Sequence, residues 1–347
     1  MGLSPAFWRG RRVLLTGHTG FKGAWAGAWL GRMGAEVTGF ALAPQTHPAL
    51  FEMLDFPGRS IIGDLRDQAA ISQAVAQADP EIVIHMAAQP LVRQSYADPV
   101  ETYGTNVMGS VHLLEALKPA RARRILVVTS DKVYENDETG RAFAEGDRLG
   151  GHDPYAASKA ATEIVVASYR RSFFAEAGVA LATARGGNVI GGGDFSADRL
   201  VPDIARALAA GRPVELRNPQ ATRPWQHVLD CLSGYLTYLE ALSDAPEALN
   251  FGPADPADAL SVAEVTGAMN AALGQEGSFK LAADRGPAEM AKLAIDASAA
   301  RTALGWQERL SSREAIRLTA QWYGAWARGE DMAALTRRQI AAYEELA

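Results

Sequence analysis

Residues 13–23 read Val13-Leu14-Leu15-Thr16-Gly17-His18-Thr19-Gly20-Phe21-Lys22-Gly23, a short apolar strand running into glycines spaced G-x-x-G-x-x-G. A helical pattern over Gly23–Met33 follows directly. A strand that turns sharply into a helix on bare glycine lets backbone approach a pyrophosphate, which the helix N-terminus holds through its open N–H groups and dipole. Glycines so spaced can also do no more than pack a helix on a strand. Context decides, because here they occupy the first strand-to-helix turn of an alternating chain.

Outward from that turn, apolar, β-branched stretches recur at Glu36–Leu42, Ser60–Ile62, Ile82–His85, Ile125–Thr129 and Val179–Ala184, with a seventh near Leu249–Phe251. Helical patterns separate them, among them Gln68–Ala78, Asn106–Leu117 and Tyr155–Ala175. Near-continuous apolar strands alternating with helices imply a parallel sheet covered on both faces. Right-handed crossovers then make the chain a doubly wound α/β fold of about seven strands. After Asn188 the rhythm changes: Gly191, Gly192 and Gly193 and scattered prolines break up the pattern, and a helix-rich end begins at Ser261. That end reads as a smaller, mostly helical lobe with Trp306, Trp322 and Trp326 as core anchors. The expected division is a dinucleotide domain over 1–187, rejoined by 227–252, and a substrate lobe over 188–226 and 253–347.

The 347 residues suit two domains. Lys plus Arg number 34 against 40 Asp plus Glu, a net charge of −6 that offers no general attraction for nucleic acid or anionic lipid. Cys231 is the only cysteine, which excludes an internal disulfide and a cysteine-based zinc site, and none of the six histidines shows metal spacing. No apolar run approaches the roughly 18 residues that span a bilayer. Met1–Arg12 lacks the features of a signal peptide, so the expected compartment is the cytoplasm and no metal is expected.

The second strand ends Val37-Thr38-Gly39-Phe40-Ala41-Leu42, without the acid that commonly holds an adenosine ribose. No cation stands there for a 2′-phosphate either, which favours NAD over NADP. Asp64 and Leu65 follow the third strand, where an acid and neighbouring backbone can hold an adenine edge, although a helix cap at Asp67 accounts for the segment as well. Ala87, Ala88 and Gln89 end the fourth strand, where small residues let a flat cofactor lie close but also suit a core.

Thr129-Ser130-Asp131-Lys132 closes the fifth strand, and Tyr155-Ala156-Ala157-Ser158-Lys159 opens a helix. Residues four apart share a helix face, so Tyr155 and Lys159 can address one ligand. An ammonium beside a phenol stabilises the phenolate, which can take a proton from a sugar hydroxyl while hydride leaves the same carbon. Asp131-Lys132 read alone is as well explained by two solvated charges after a strand.

Together these stretches resemble the extended short-chain dehydrogenase/reductase family, and within it the sugar-nucleotide 4,6-dehydratases. The matching segments are Thr16–Gly23, His85–Tyr96, Thr105–Gly109, Thr129–Asn136, Gly150–Lys159 and Arg185–Asp203. The resemblance implies a Rossmann sheet and NAD held by Gly17, Thr19, Gly20, Phe21, Lys22, Gly23, Asp64, Leu65, Ala87, Ala88, Gln89, Asn106, Tyr155 and Lys159. It implies Tyr155 as base for the C4 hydroxyl, Ser130 on the 4-oxygen, Asp131 as acid for the leaving C6 hydroxyl, and Lys132 as C5 base or enolate stabiliser. Asp-Lys at this position implies CDP-glucose, where relatives acting on dTDP- or GDP-hexoses carry Asp-Glu; a related nucleotide sugar, or an epimerase reaction, is the alternative. Asn188, Arg199, Arg223 and Arg285 are implied on the substrate diphosphate or nucleotide, although Arg199 could equally pair with Asp198 or Asp203. Helices Asn106–Leu117 and Tyr155–Ala175 imply a homodimer through a four-helix bundle. The chain departs from the family at Val133, His152 and Ala24, where Cys, Tyr and Ser are usual.

Overall fold

A computed structural model describes residues 2–223, 225–254, 260–274, 279–282 and 293–346. Its frame is a parallel sheet of β1 (Arg12–Thr16), β2 (Glu36–Ala41), β3 (Arg59–Ile62), β4 (Ile82–His85), β5 (Arg124–Val128) and β6 (Ala180–Gly186), with a seventh strand named below. Two short strands, β7 (Asn188–Ile190) and β8 (Trp225–His227), pair with each other outside the sheet, and β9 (Ala248–Phe251) returns to it. The sheet order is β9-β6-β5-β4-β1-β2-β3, so the alternation seen in the sequence is the doubly wound fold it implied. The chain runs outward through β3 and then re-enters beside β1 at β4. The carboxyl ends of β1 and β4 therefore flank the crevice where such sheets bind ligands.

Strand residues divide by parity, as alternating Cβ directions require. Val13, Leu15, Ile82, Ile84, Leu126 and Val128 face one apolar cluster, while Leu14, Val83, Ile125 and Val127 face another. Covering helices are α1 (Phe21–Arg32), α2 (Gln68–Ala78), α3 (Pro99–Tyr103), α4 (Gly109–Leu117) and α5 (Pro154–Tyr169). After these come α6 (Leu200–Ala209), α7 (Val228–Ala241), α8 (Val262–Ala272), α9 (Ser298–Leu304), α10 (Ser312–Ala327) and α11 (Met332–Glu344).

Two expected helices end differently from their periodicity. Asn106–Leu117 is not one α-helix: Gly104–Met108 forms a π turn between α3 and α4. That wide turn carries Asn106 inward, where its carbonyl accepts from Ser110 and Thr162 hydroxyls and its amide reaches Gln89 and Ser158. Tyr155–Ala175 is α5 followed by a second π turn at Arg170–Phe174.

The first apolar cluster continues unbroken into the C-terminal helices. Trp306 and Trp322 lie in it as expected, whereas Trp326 is only partly buried against Phe195, ring centroids 5.1 Å apart. Trp322 presses so closely on Gly192 that a Cβ there would fall 1.9 Å from its ring, which explains one glycine of the 191–193 run. On α1, the Trp29 indole donates to Glu344 at 2.9 Å and Arg32 pairs with the same carboxylate at 2.8 Å. No helix among the described residues is long and apolar enough to cross a membrane.

Candidate active site

The glycine turn is built by close approach. A Cβ on Gly23 would lie 2.0 Å from the Gly17 carbonyl oxygen, and one on Gly17 would lie 2.8 Å from Ala87 N. Gly17 also has φ +80°, in the left-handed region that glycine enters without strain. Gly20 caps α1 without a side-chain bond, so Phe21, Lys22 and Gly23 open a helix whose first N–H groups are uncapped by any side chain. The Thr16 hydroxyl, hydrogen-bonded to His85 at 2.7 Å, accepts from the N–H groups of Met86 and Ala87 and so clamps β1 to the loop after β4. A bare helix end, opposed by small residues at Ala87 and Ala88, suits a dinucleotide's diphosphate.

Several expected cofactor residues brace the crevice rather than leave polar atoms open. Asn106 accepts from Gln89 N at 2.8 Å and donates to Gln89 O at 3.1 Å and to Ser158 at 2.9 Å. Gln89 spends its amide on Leu91 and Thr102. Thr19 donates to Leu42 O at 2.8 Å and so ties the glycine turn to the residue after β2. Asp67 caps α2 by accepting from Ala69 and Ala70 N–H groups. Asp64 is gripped by the Arg66 guanidinium and N–H, and the guanidinium bond holds its carboxyl below the usual range. The Leu65 side chain is buried in the core.

The catalytic candidates gather where β5 ends. Ser130 caps a 3₁₀ turn over Asp131–Val133, accepting from Lys132 N and donating to Asp131 Oδ1 at 3.0 Å. Lys132 Nζ donates to the same oxygen at 3.2 Å. Asp131 Oδ2 is buried with no hydrogen-bond partner among the described residues. Asp153 caps α5 by accepting from Ala156 N, and Pro154 supplies a preset first turn, so Tyr155 enters at the helix start.

Burial raises the Tyr155 phenol, and the charge that most opposes the shift is Lys132, followed by a hydrogen bond with Ser130 and the charge of Arg199. Lys159 is instead turned to the strand, donating to Val128 O at 3.1 Å. Burial, then the neighbouring charge of Lys22, lowers Lys159 to about 7. Lys132 is therefore a second cation that favours the Tyr155 phenolate.

Arg199 also reaches this centre, and its ion-pair partner is Asp194 at 3.7 Å, not Asp198 or Asp203. Those two are taken by Arg93 and Arg206 at 3.3 and 2.5 Å. Asn188 starts β7, paired with Trp225, and Arg223 lies in a two-residue strand against Leu260, donating to Thr222 O. Arg285 lies outside the described residues. Of the departures, Val133 and Ala24 are core residues and His152 is exposed beside Glu135.

Comparison with known proteins turns this geometry into a family. The model of the NAD dependent epimerase/dehydratase family matches residues 13–252. The chain belongs to that family. It is 45% identical to CDP-glucose 4,6-dehydratase of Salmonella typhimurium over 97% of both chains. It is 29% identical to dTDP-glucose 4,6-dehydratase of Xanthomonas campestris, over 75% of this chain and 77% of the relative. Among solved structures, UDP-glucose 4-epimerase of Thermus thermophilus in complex with NAD superposes with a TM-score of 0.79 at 27% identity, covering 90% of this chain and 98% of that one.

NAD is therefore the cofactor, and the glycine cradle and uncapped α1 terminus fit it. Two neighbours of the family's site escaped the sequence reading. Tyr235 on α7 puts its hydroxyl where a Gly186 side chain would stand, 2.3 Å from that Cβ position, and Lys22 lies 5.7 Å from its ring centre. Glu163 sits one turn beyond Lys159 and is buried. Neither belongs to a motif, since only the folded chain brings α7 and the far end of the catalytic helix to β5.

Proposed function

We propose that the protein is a CDP-glucose 4,6-dehydratase, converting CDP-D-glucose to CDP-4-keto-6-deoxy-D-glucose and water. One observation carries the reading: an Asp131–Lys132 pair with an open, buried carboxylate oxygen inside a dehydrogenase site. A transient oxidation alone gives that oxygen nothing to do, whereas elimination needs an acid and a base on adjacent carbons. The 45% identity to a named CDP-glucose 4,6-dehydratase supports the same reaction and nucleotide.

In this scheme Tyr155 takes the C4 hydroxyl proton with Ser130 bonded to the 4-oxygen. Bound NAD supplies a hydride acceptor for C4 and a hydride donor for C6. The 4-ketone acidifies the C5 proton, which Lys132 removes while Asp131 gives a proton to the C6 hydroxyl as it leaves as water, and Lys132 returns its proton to C5 when C6 is reduced. A proton passing across the 3.2 Å Lys132–Asp131 contact makes a neutral amine and a carboxylic acid, the two forms the elimination uses. The Lys132 ammonium serves instead as a stabiliser of the enolate where no such transfer occurs. Asn188, Arg199, Arg223 and Arg285 are assigned to the diphosphate and nucleotide, within a lobe formed by 188–226 and 253–347.

We assign the protein to the cytoplasm, in keeping with a single buried cysteine. We assign it as a homodimer through a four-helix bundle of Asn106–Leu117 and Tyr155–Ala175, a surface that exposes Met108 and Ile164 at 48 and 62%.

The test is incubation with NAD and CDP-glucose, dTDP-glucose, GDP-mannose or UDP-glucose, following the alkali-induced absorbance of a 4-keto-6-deoxy sugar. CDP-glucose is expected to give the signal. A signal with another nucleotide alone discards the cytosine assignment. Asp131→Asn is expected to lower dehydration by roughly 100-fold or more, the scale of a general acid's contribution. Sugar interconversion that survives this substitution would make the protein an epimerase.

A further inference from the structure

Behind the catalytic turn lies a buried charge pair that the proposed mechanism does not use. Glu163 and Arg185 are 4 and 5% exposed at their side chains and meet at 2.7 Å. The Glu163 carboxylate accepts from Thr129 Oγ1 at 2.5 Å, Thr183 Oγ1 at 2.8 Å and Arg185 Nη2. It thus ties α5 to the residue after β5 and to the second half of β6. Thr129 immediately precedes Ser130, Asp131 and Lys132, so the tether acts on the segment that carries them.

Arg185 extends the tie. Its Nη1 donates to the Tyr134 hydroxyl at 2.9 Å, which donates onward to Asn250 Oδ1 at 2.6 Å. Asn250 in turn donates to the carbonyls of Phe143 and Asp296. Both ends of the 129–134 turn are therefore fastened through one ion pair, the first by Thr129 and the last by Tyr134. Such a pair costs more to desolvate than a well-packed apolar pair of the same size, so stability alone gives little reason for it.

The position along α5 suggests what the charge does. Glu163 follows Lys159 by four residues, on the same helix face. The groups acting on Lys159 from the neighbouring elements are Lys22 on α1 and His85 at the end of β4, with the Val128 carbonyl on β5. Lys22 disfavours the ammonium and buried, neutral His85 brings no balancing negative charge. Glu163 opposes them with a negative charge held rigidly by three donors. Facing Glu163 itself are Arg185 and, more distantly, Tyr238 on α7.

We propose that Glu163 is a positioning residue with two tasks: it fastens the Ser130–Asp131–Lys132 turn to α5, and it sets a buried negative charge one helical turn beyond Lys159, on the same face of α5. It touches neither substrate nor cofactor. The inference deepens the dehydratase reading and rests on it for the roles of Asp131 and Lys132, but its test needs no sugar nucleotide.

NAD carries a diphosphate, and the ammonium form of Lys159 attracts it. NAD affinity, followed by quenching of tryptophan fluorescence, is therefore expected to fall as pH rises through the titration of Lys159. Lys159→Met is the control and is expected to remove that dependence. Glu163→Gln alone strands the Arg185 charge in the interior, so the informative protein is the double variant Glu163→Gln/Arg185→Met, which removes both charges together. In it the midpoint is expected lower, by less than the roughly one unit that loss of a lone opposite charge gives, because the Arg185 charge that offsets Glu163 leaves with it. Glu163→Asp, which keeps the carboxylate, is expected to stay near the parent midpoint. A folded double variant with the parent midpoint overturns the proposal, as does a pH dependence that persists in Lys159→Met. Because NAD binding is the readout, a failure here is distinguishable from a failure to dehydrate CDP-glucose, which would strike only the substrate reading.

Discussion

Lys159 shows how one residue trades stability for chemistry. Its side chain is buried, donates to Val128 O, and holds its proton at about 7 where a free lysine holds it at 10.5. The folded value lies below the unfolded one, so between about 7 and 10.5 the unfolded chain binds the proton more tightly and stability rises with pH. At and below pH 7 the cost is present almost in full. Lys159→Met keeps the unbranched stem and removes the charge. It is expected to raise the melting temperature of the cofactor-free protein at pH 7 while abolishing turnover. A fall in melting temperature would mean that the bond to Val128 outweighs the buried charge. The sequence showed that Tyr155 and Lys159 share a helix face, because that follows from helical spacing alone. It could not show that the lysine donates to β5 or that Lys132 also favours the phenolate, because strand ends meet a helix only in the folded chain.

At the scale of elements, helix α7 starts with a His227 side chain accepting from Leu229 N and carries Asp230 in its first turn. Asp230 accepts from Arg309 N and the Tyr343 hydroxyl, both at 2.7 Å, and so joins α7 to α11 and to the chain before α10. Burial raises its carboxyl to about 6 from 3.8. The folded value is the higher, so the stabilising contribution is present in full below about 4 and lost as pH rises through 6. Asp230→Asn keeps an acceptor without the ionisation. Urea midpoints at pH 4.5 and 7 are expected to show the variant gaining on the parent at the higher pH. An equal difference at both values would refute the role of the charge. Strand positions were legible in the sequence to within a residue or two, since a strand covered on both faces must be apolar throughout. The π turns were not, because Gly104–Met108 widens to let Asn106 reach Gln89 and Ser158, two partners distant along the chain.

For the molecule as a whole, the sheet places every catalytic candidate at one edge, while the proposed dimer surface lies on α4 and α5. Ile164→Glu puts a charge on an exposed apolar position of α5 and is expected to convert the dimer to a monomer in light scattering after gel filtration, with folding intact. A parent protein that already elutes as a monomer would end the dimer assignment.

The doubly wound fold, the glycine cradle and the run of candidate catalytic residues were legible in the sequence itself. Each depends on a short-range rule: the period of apolar residues, the absence of a Cβ, or the spacing along one helix. The partner of Arg199, the proton affinities of Lys159 and Tyr155, and the buried Glu163–Arg185 tie were decided only by the tertiary structure. Desolvation and hydrogen bonding depend on every group that closes around an atom, and these groups come from segments far apart in the chain.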